Sequence, residues 1–171
     1  MRSIMRLRWV IAATLLLPAP AFASSVIYAC FGSGTLTTNP LKSCPVASVR
    51  SAIDSLSFGG SDLVKFLAGG GASSQVSFSN ITLLKQQNPA SDTLLSDIYA
   101  GKQLGTVAIA LYGDGSGPSN PALHILLTNA YVTGWQVSAD SGSPLAESVS
   151  LAFSSITIVD NATGQKVTWT Q

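Results

Sequence analysis

The run VSFSNITLLKQQNPASDTLLSDIYAGKQLGTVAIAL, from Val76 to Leu111, places a strand, a break, a helix and a second strand in one order. Val76, Phe78 and Thr82 alternate with Ser77, Ser79 and Asn80, the period-two pattern of a strand with one polar face. Asn88-Pro89-Ala90-Ser91 ends that strand, and Ser91 is placed as the N-cap of a short helix over about residues 91–100. Leu94, Leu95 and Ile98 share one helical face, Asp92 sits at the positive end of the dipole, and Gly101 supplies a left-handed terminator. The period then returns to two. Val107, Ile109 and Leu111 point one way, while Thr106, Ala108 and Ala110 form a small-residue face that allows close packing.

Downstream, the loop composition of Gly113-Asp114-Gly115-Ser116-Gly117-Pro118 precedes a long strand from Ala122 to Thr133, rich in β-branched and aromatic residues. Ser138 to Pro144 reads as the next turn. Val149, Leu151 and Phe153 then alternate with Ser148, Ser150 and Ala152, but beyond Ser154-Ser155 the apolar phase slips to Ile156 and Ile158. The slip predicts a β-bulge. Asn161-Ala162-Thr163-Gly164 closes a hairpin onto Lys166 to Thr170, which carries Trp169.

Met1 to Arg8 is basic, Trp9 to Leu17 is apolar, and Ala21-Phe22-Ala23 sets small residues where a signal peptidase needs them, so cleavage is expected between Ala23 and Ser24. The apolar run is too short for a membrane span and is interrupted by Pro18 and Pro20. Roughly 148 of the 171 residues remain, one domain over residues 24–171 with a single core. Removing Arg2, Arg6 and Arg8 from the nine basic residues leaves six against eight acidic ones, a net charge of about −2. Those six cations are scattered, which argues against a nucleic-acid partner, since neutralising phosphates needs clustered Lys and Arg. Cys30 and Cys44 are the only cysteines, and in an exported chain they are expected to join. The closed loop of about 15 residues would contribute on the order of 3 kcal/mol. Export therefore points to a periplasmic or extracellular location.

The region between Cys30 and Val76 is less determinate. Pro45 to Asp54 fits an extended strand or a short helix, and Asp62 to Ala68 has Leu63, Phe66 and Leu67 at helical spacing before Gly69-Gly70-Gly71. Chemistry is sparse. His124, the one histidine, has the parity opposite to Leu123, Ile125 and Leu127 and is expected at an exposed or interface position. The chain carries no G-x-S-x-G elbow, and the Gly113–Gly117 loop lacks both the Lys of a P-loop and the carboxylate ladder of an EF-hand. No catalytic residue, metal ligand or cofactor site is assigned. Asn80-Ile81-Thr82 and Asn161-Ala162-Thr163 are sequons, of consequence only in a glycosylating host. Trp135, Trp169, Tyr131 and Phe153 fit either a sugar-binding platform or core and subunit contacts.

The ordered combination resembles the Hcp family, the hemolysin-coregulated tube proteins of type VI secretion systems, with this chain as a signal-peptide-bearing member. Ile81-Thr82 and the Lys85 region, then Asn88-Pro89-Ala90-Ser91 and Leu94-Leu95, resemble that family's strand, turn and helix. Gly101 with Val107-Ala108-Ile109 resembles its glycine and following strand. Leu126 to Val132, with Asn129 at the acidic or Asn position, resembles a further strand, and Pro144, Glu147 and Phe153 match its L-P-x-E-x-V-x-F pattern. Val26-Ile27-Tyr28 and Ser55 to Gly59 resemble its earlier strands. The resemblance implies a mainly β fold, a compact Hcp-like β-barrel of two antiparallel sheets with one short flanking α-helix. It further implies a homohexameric ring, stacking into a tube, and secreted effector proteins as cargo. A leader departs from the family, whose subunits polymerise in the cytoplasm. The competing function is a secreted monomeric barrel that binds glycan or another envelope component.

Overall fold

Alternation of apolar and polar side chains turns most of this chain into antiparallel strands, seen in a computed structural model that describes residues 26–32, 44, 50–66, 72–113 and 120–171. The expected leader with its Ala23-Ser24 junction, the triple glycine and Asp114 to Pro118 lie outside the described residues. In order, the elements are β1 (Val26–Phe31), β2 (Arg50–Ile53), β3 (Ser55–Ser57), β4 (Gly60–Phe66), β5 (Ala72–Phe78), β6 (Ile81–Gln86), α1 (Pro89–Ala100), β7 (Gln103–Tyr112), β8 (Leu123–Ser138), β9 (Ala146–Ala152), β10 (Ser155–Asp160) and β11 (Lys166–Thr170).

Nine strands form one sheet in the order β2-β1-β7-β8-β9-β6-β3, with β10 and β11 branching from β8. Its two end strands do not pair with each other, so the sheet is not a closed ladder. They are successive in the chain instead. β2 pairs with β1, the chain turns at Asp54, and β3 pairs with β6, with the Asp54 amide donating to the Leu84 carbonyl at 2.7 Å. One short segment thus joins both ends of the sheet around a shared core. That core is built from Phe31, Ile81, Leu83, Leu94, Val107, Ile109, Ile125, Leu127, Val149, Leu151 and Ile156 among others. Burying each such Leu, Ile or Phe contributes roughly 1.5–3 kcal/mol.

The helix starts earlier than residue 91. Asn88 is the N-cap and Pro89 opens the first turn, because proline has no N–H to lose there and its φ already suits a helix. Ser91 is instead the third helical residue. Gly101 takes the left-handed conformation expected of it, at φ 59°, with its N–H directed to the Asp97 and Ile98 carbonyls.

The expected strand over Val76 to Thr82 divides in two: β5 ends at Phe78 and β6 begins at Ile81. Asp62 to Phe66 is extended rather than helical, paired along its length with β5 in a separate two-stranded sheet. A single turn confined between glycines could not repay helix nucleation, whereas the hairpin pairs its backbone throughout.

The slip of phase after Phe153 is a strand break, not a bulge. Tyr131 pairs with Ala152 and Thr128 with Ser155, so no residue is inserted between the two stretches. Both strands change face together. Inward positions run Leu123, Ile125, Leu127 and then Ala130, Val132 on β8, against Val149, Leu151, Phe153 and then Ile156, Ile158 on its partners. Asn129 makes the change possible by adopting φ 52°, the one non-glycine residue at positive φ among those described, and its amide donates to Ser154 Oγ at 2.9 Å. Register irregularities lie elsewhere, between Val132 and Gly134 on β8 and on either side of Gly105 on β7.

His124 is buried, not exposed. The outward face of β1, β7 and β8 is also covered: Cys30 and Ala110 are 0% exposed and His124 5%. Cys44, bonded to Cys30, lies on this second face.

Replacing Asn129 by valine is expected to lower stability by about 1–2 kcal/mol, because a β-branched residue is strained at positive φ. Asn129→Gly should cost less, losing only the hydrogen bond to Ser154. Urea denaturation of the two variants compares them, and equal losses would contradict the backbone explanation.

Candidate functional site

The expected motif residues Ser91 and Glu147 are distant in sequence, yet they meet inside the protein. On β6, Lys85 falls in phase with Ile81 and Leu83, so its side chain enters the core and is 0% exposed. On β9, Glu147 is in phase with Val149 and Leu151 and is 1% exposed. The two residues are direct cross-strand partners in the β6–β9 ladder, and Lys85 Nζ reaches Glu147 Oε2 at 2.5 Å.

The first turn of α1 completes the shell. Lys85 Nζ also donates to Ser91 Oγ at 2.8 Å, Asn88 Oδ1 at 3.3 Å and the Gln86 carbonyl at 3.1 Å. Ser91 Oγ donates to Glu147 Oε2 at 2.7 Å and accepts from the Asn88 amide at 3.1 Å. Its donor and both lone pairs are therefore used. Asn88 Oδ1 caps the Ala90 amide, and Asn88 Nδ2 donates to Ser51 Oγ, which brings in β2. One ammonium thus joins β6, β9 and the helix start, and through Asn88 reaches β2. All the partners point at one another inside the fold, so the arrangement holds elements in place.

A second polar group lies at the other end of β8. Asn161 Nδ2 donates to the Pro121 carbonyl at 2.7 Å and approaches His124 Nδ1 at 3.3 Å. The amide faces His124 with a donor, so the ring's Nδ1 serves as acceptor and its proton sits on Nε2. Burial lowers the His124 pKa below its ordinary 6.5.

The remaining expected residues have clear places. Phe153 is core, and Pro144 is exposed in the β8–β9 turn. Cys30 and Cys44 form the disulfide. The four aromatics do not assemble into one platform: Phe153 and Trp135 pack into the core, Trp169 packs on Phe78 with ring centroids 5.3 Å apart, and Tyr131 is exposed. Sequence reasoning missed Lys85 as a buried cation, Asn88 as the cap and Ser51 as its partner. The phase of Lys85 with Ile81 and Leu83 was the available signal. Among the described residues no group of His, Cys, Asp and Glu is placed to hold a metal, and no helix is long and apolar enough to cross a membrane.

Fold and node together define a mainly β structural module with one helix locked onto it by a buried ion pair. Residues 50–159 match the family described as "Type VI secretion system effector, Hcp". The chain belongs to the Hcp family and is an Hcp-like structural protein of the type VI secretion class. Its fold is similar to that of Hcp1 from Salmonella typhimurium, at TM-score 0.63 and 16% identity over 85% of this chain and 93% of that one. An Hcp crystal structure superposes at TM-score 0.65 with 14% identity, covering 87% of this chain and 100% of that chain. The secreted protein Hcp3 from Pseudomonas aeruginosa superposes at TM-score 0.57 and 12% identity, over 86% and 98% of the two chains. No curated protein matches the sequence. At these identities the superpositions establish the fold, and the family rests on the sequence match.

Two measurements check the polar groups. Glu147→Leu should cost about 3–5 kcal/mol by stranding the Lys85 charge, whereas Lys85→Met combined with Glu147→Leu should cost clearly less; a double-mutant cycle by chemical denaturation decides. For His124, the lowered pKa means that the unfolded chain binds the proton more readily. Its stabilisation is complete above about pH 6.5 and is lost as pH falls from there through the folded-state pKa. The urea midpoint should therefore drop between about pH 7 and pH 5, and His124→Leu should flatten that part of the profile.

Proposed function

We propose that this chain is an exported Hcp-like subunit that self-associates into a homohexameric ring, stacks, and can hold secreted effector proteins. The observation that carries the reading is the β4–β5 hairpin. It forms a sheet of its own, and no other strand of the described residues joins its ladder. Among the described residues both of its backbone edges are open, and an open edge is a template for pairing with another chain. β11 offers a further edge among the described residues and carries the exposed Val167. A second copy can supply partners for such edges, and Asp62 and Lys65 are the only charged residues among the two strands of the hairpin.

The basic-apolar leader pattern ending at Ala23 supports export, and so does the Cys30–Cys44 bond, a linkage favoured in oxidising compartments. The working location is the periplasm or the exterior. Neither nucleic acid nor a membrane span after cleavage enters this reading. The glycan-binding monomer is not favoured, because its aromatic residues are dispersed and mostly turned inward.

Purified mature protein is expected to have the mass of six subunits in light scattering and to show rings in electron micrographs. A strict monomer at high concentration would sink the ring. Finding the intact precursor, leader attached, in cytoplasmic tubes would sink the export assignment.

A further inference from the structure

The disulfide lies beside the segment that joins the two ends of the sheet. Cys30 is in β1, directly opposite Arg50, the first residue of β2, and next to Ala108 of β7. Its bond to Cys44 closes 14 residues of sequence separation. The length of sequence between the last point fixed to β1 and the start of β2 is thereby cut from residues 33–49 to residues 45–49. The segment beyond this tether is the weakest-held part of the sheet by pairing: β2 has four ladder pairs to β1, β3 has three to β6, and Asp54 bridges them. Shortening the tether raises the effective concentration of β2 at its docking site.

The two cysteines are unequal in exposure. Cys30 is 0% exposed, whereas Cys44 is only half-buried. An external thiolate can approach Cys44, but that attack makes the Cys30 sulfur the leaving thiolate, and a thiolate released into a covered, low-dielectric site is disfavoured. Attack at Cys30 is blocked by the strands around it. Arg50 gives little relief, because its guanidinium lies over the Tyr28 ring, 4.6 Å from the centroid.

We propose that Cys30–Cys44 is a one-way latch on the β2–β3 segment, closed while the sheet assembles and thereafter protected from reduction by the folded structure itself. Closure is thiol–disulfide exchange with an external disulfide, from oxidised glutathione or a disulfide oxidoreductase. One cysteine thiolate of the chain attacks that disulfide, breaking its S–S bond, forming a mixed disulfide with one of its sulfurs and expelling the other as a thiolate that takes up a proton. The second cysteine, losing its proton to water, displaces the partner, which leaves as the reduced thiol. Supply of this oxidant rests on the export reading, but the protection does not.

The test starts from the oxidised wild-type protein. Dithiothreitol at neutral pH followed by an alkylating agent should add no label to the native chain and two labels once denaturant is present, read by intact mass. Rapid double labelling of the native protein would overturn the latch. The second arm is hydrogen exchange on a Cys30→Ala, Cys44→Ala chain. Protection should be lost over residues 50–57 while residues 107–111 and 123–128 stay protected. Unchanged protection at 50–57, or loss spread evenly over all three stretches, would show that the bond does not act on this segment. If the double variant fails to fold, the labelling arm on wild-type protein still decides. A monomeric but reduction-resistant protein would refute ring formation and leave the latch standing.

Discussion

A lysine ammonium held out of water is the constraint around which much of this structure is arranged. Taking Lys85 and Glu147 into the core costs several kcal/mol per ion, and their attraction offsets this only if the remaining protons and lone pairs are also satisfied. Three backbone choices are tied to that condition. β6 and β9 must pair in the one register that sets the two charges opposite each other. The helix must begin where Asn88 and Ser91 can turn oxygen atoms toward Nζ. β2 must lie close enough for Ser51 to take the Asn88 amide. A slip of one residue in β6 would bring Leu84 inside and strand Lys85 among water-facing groups, which ties register and helix placement to one interaction.

A second constraint acts on the long strand β8. It serves two neighbours in succession along one edge, β10 and then β9, and the core lies on a different side-chain parity in each stretch. The left-handed Asn129 provides the change on one strand, and the Phe153-Ser154 break provides it on the other. Ser154 joins the two, its amide bonded to the Thr128 carbonyl and its hydroxyl accepting from Asn129. Asn tolerates positive φ better than most residues, a reason for its presence at a motif position.

Local patterns were legible where side-chain size or polarity alternates along the chain. The alternation in β7 and β9, the glycine terminator of α1 and the Asn161–Gly164 hairpin all reflect near-neighbour physics, and each is present as read. The helix start was misplaced by three residues because Ser91 is a good cap in isolation; Pro89 before it was the stronger signal. The β4–β5 hairpin defeated a spacing argument, since Leu63 and Phe66 suit a helical face as well as a strand when pairing is unknown. His124 was misread for a related reason. Parity says which face a residue occupies, and not whether that face is covered.

The sequence by itself determined the strand-rich character, the single helix with its left-handed end, the cysteine pair and the family, because these depend on residue type and spacing along a few turns of chain. Only the tertiary structure decided that Ser91 and Glu147 belong to one site with Lys85 at its centre. It also decided that β2 and β3 are two halves of one joining segment, and that the phase slip is shared by paired strands. Such features depend on which distant residues share a small volume. Ladder pairing and burial settle that, and periodicity carries no record of it.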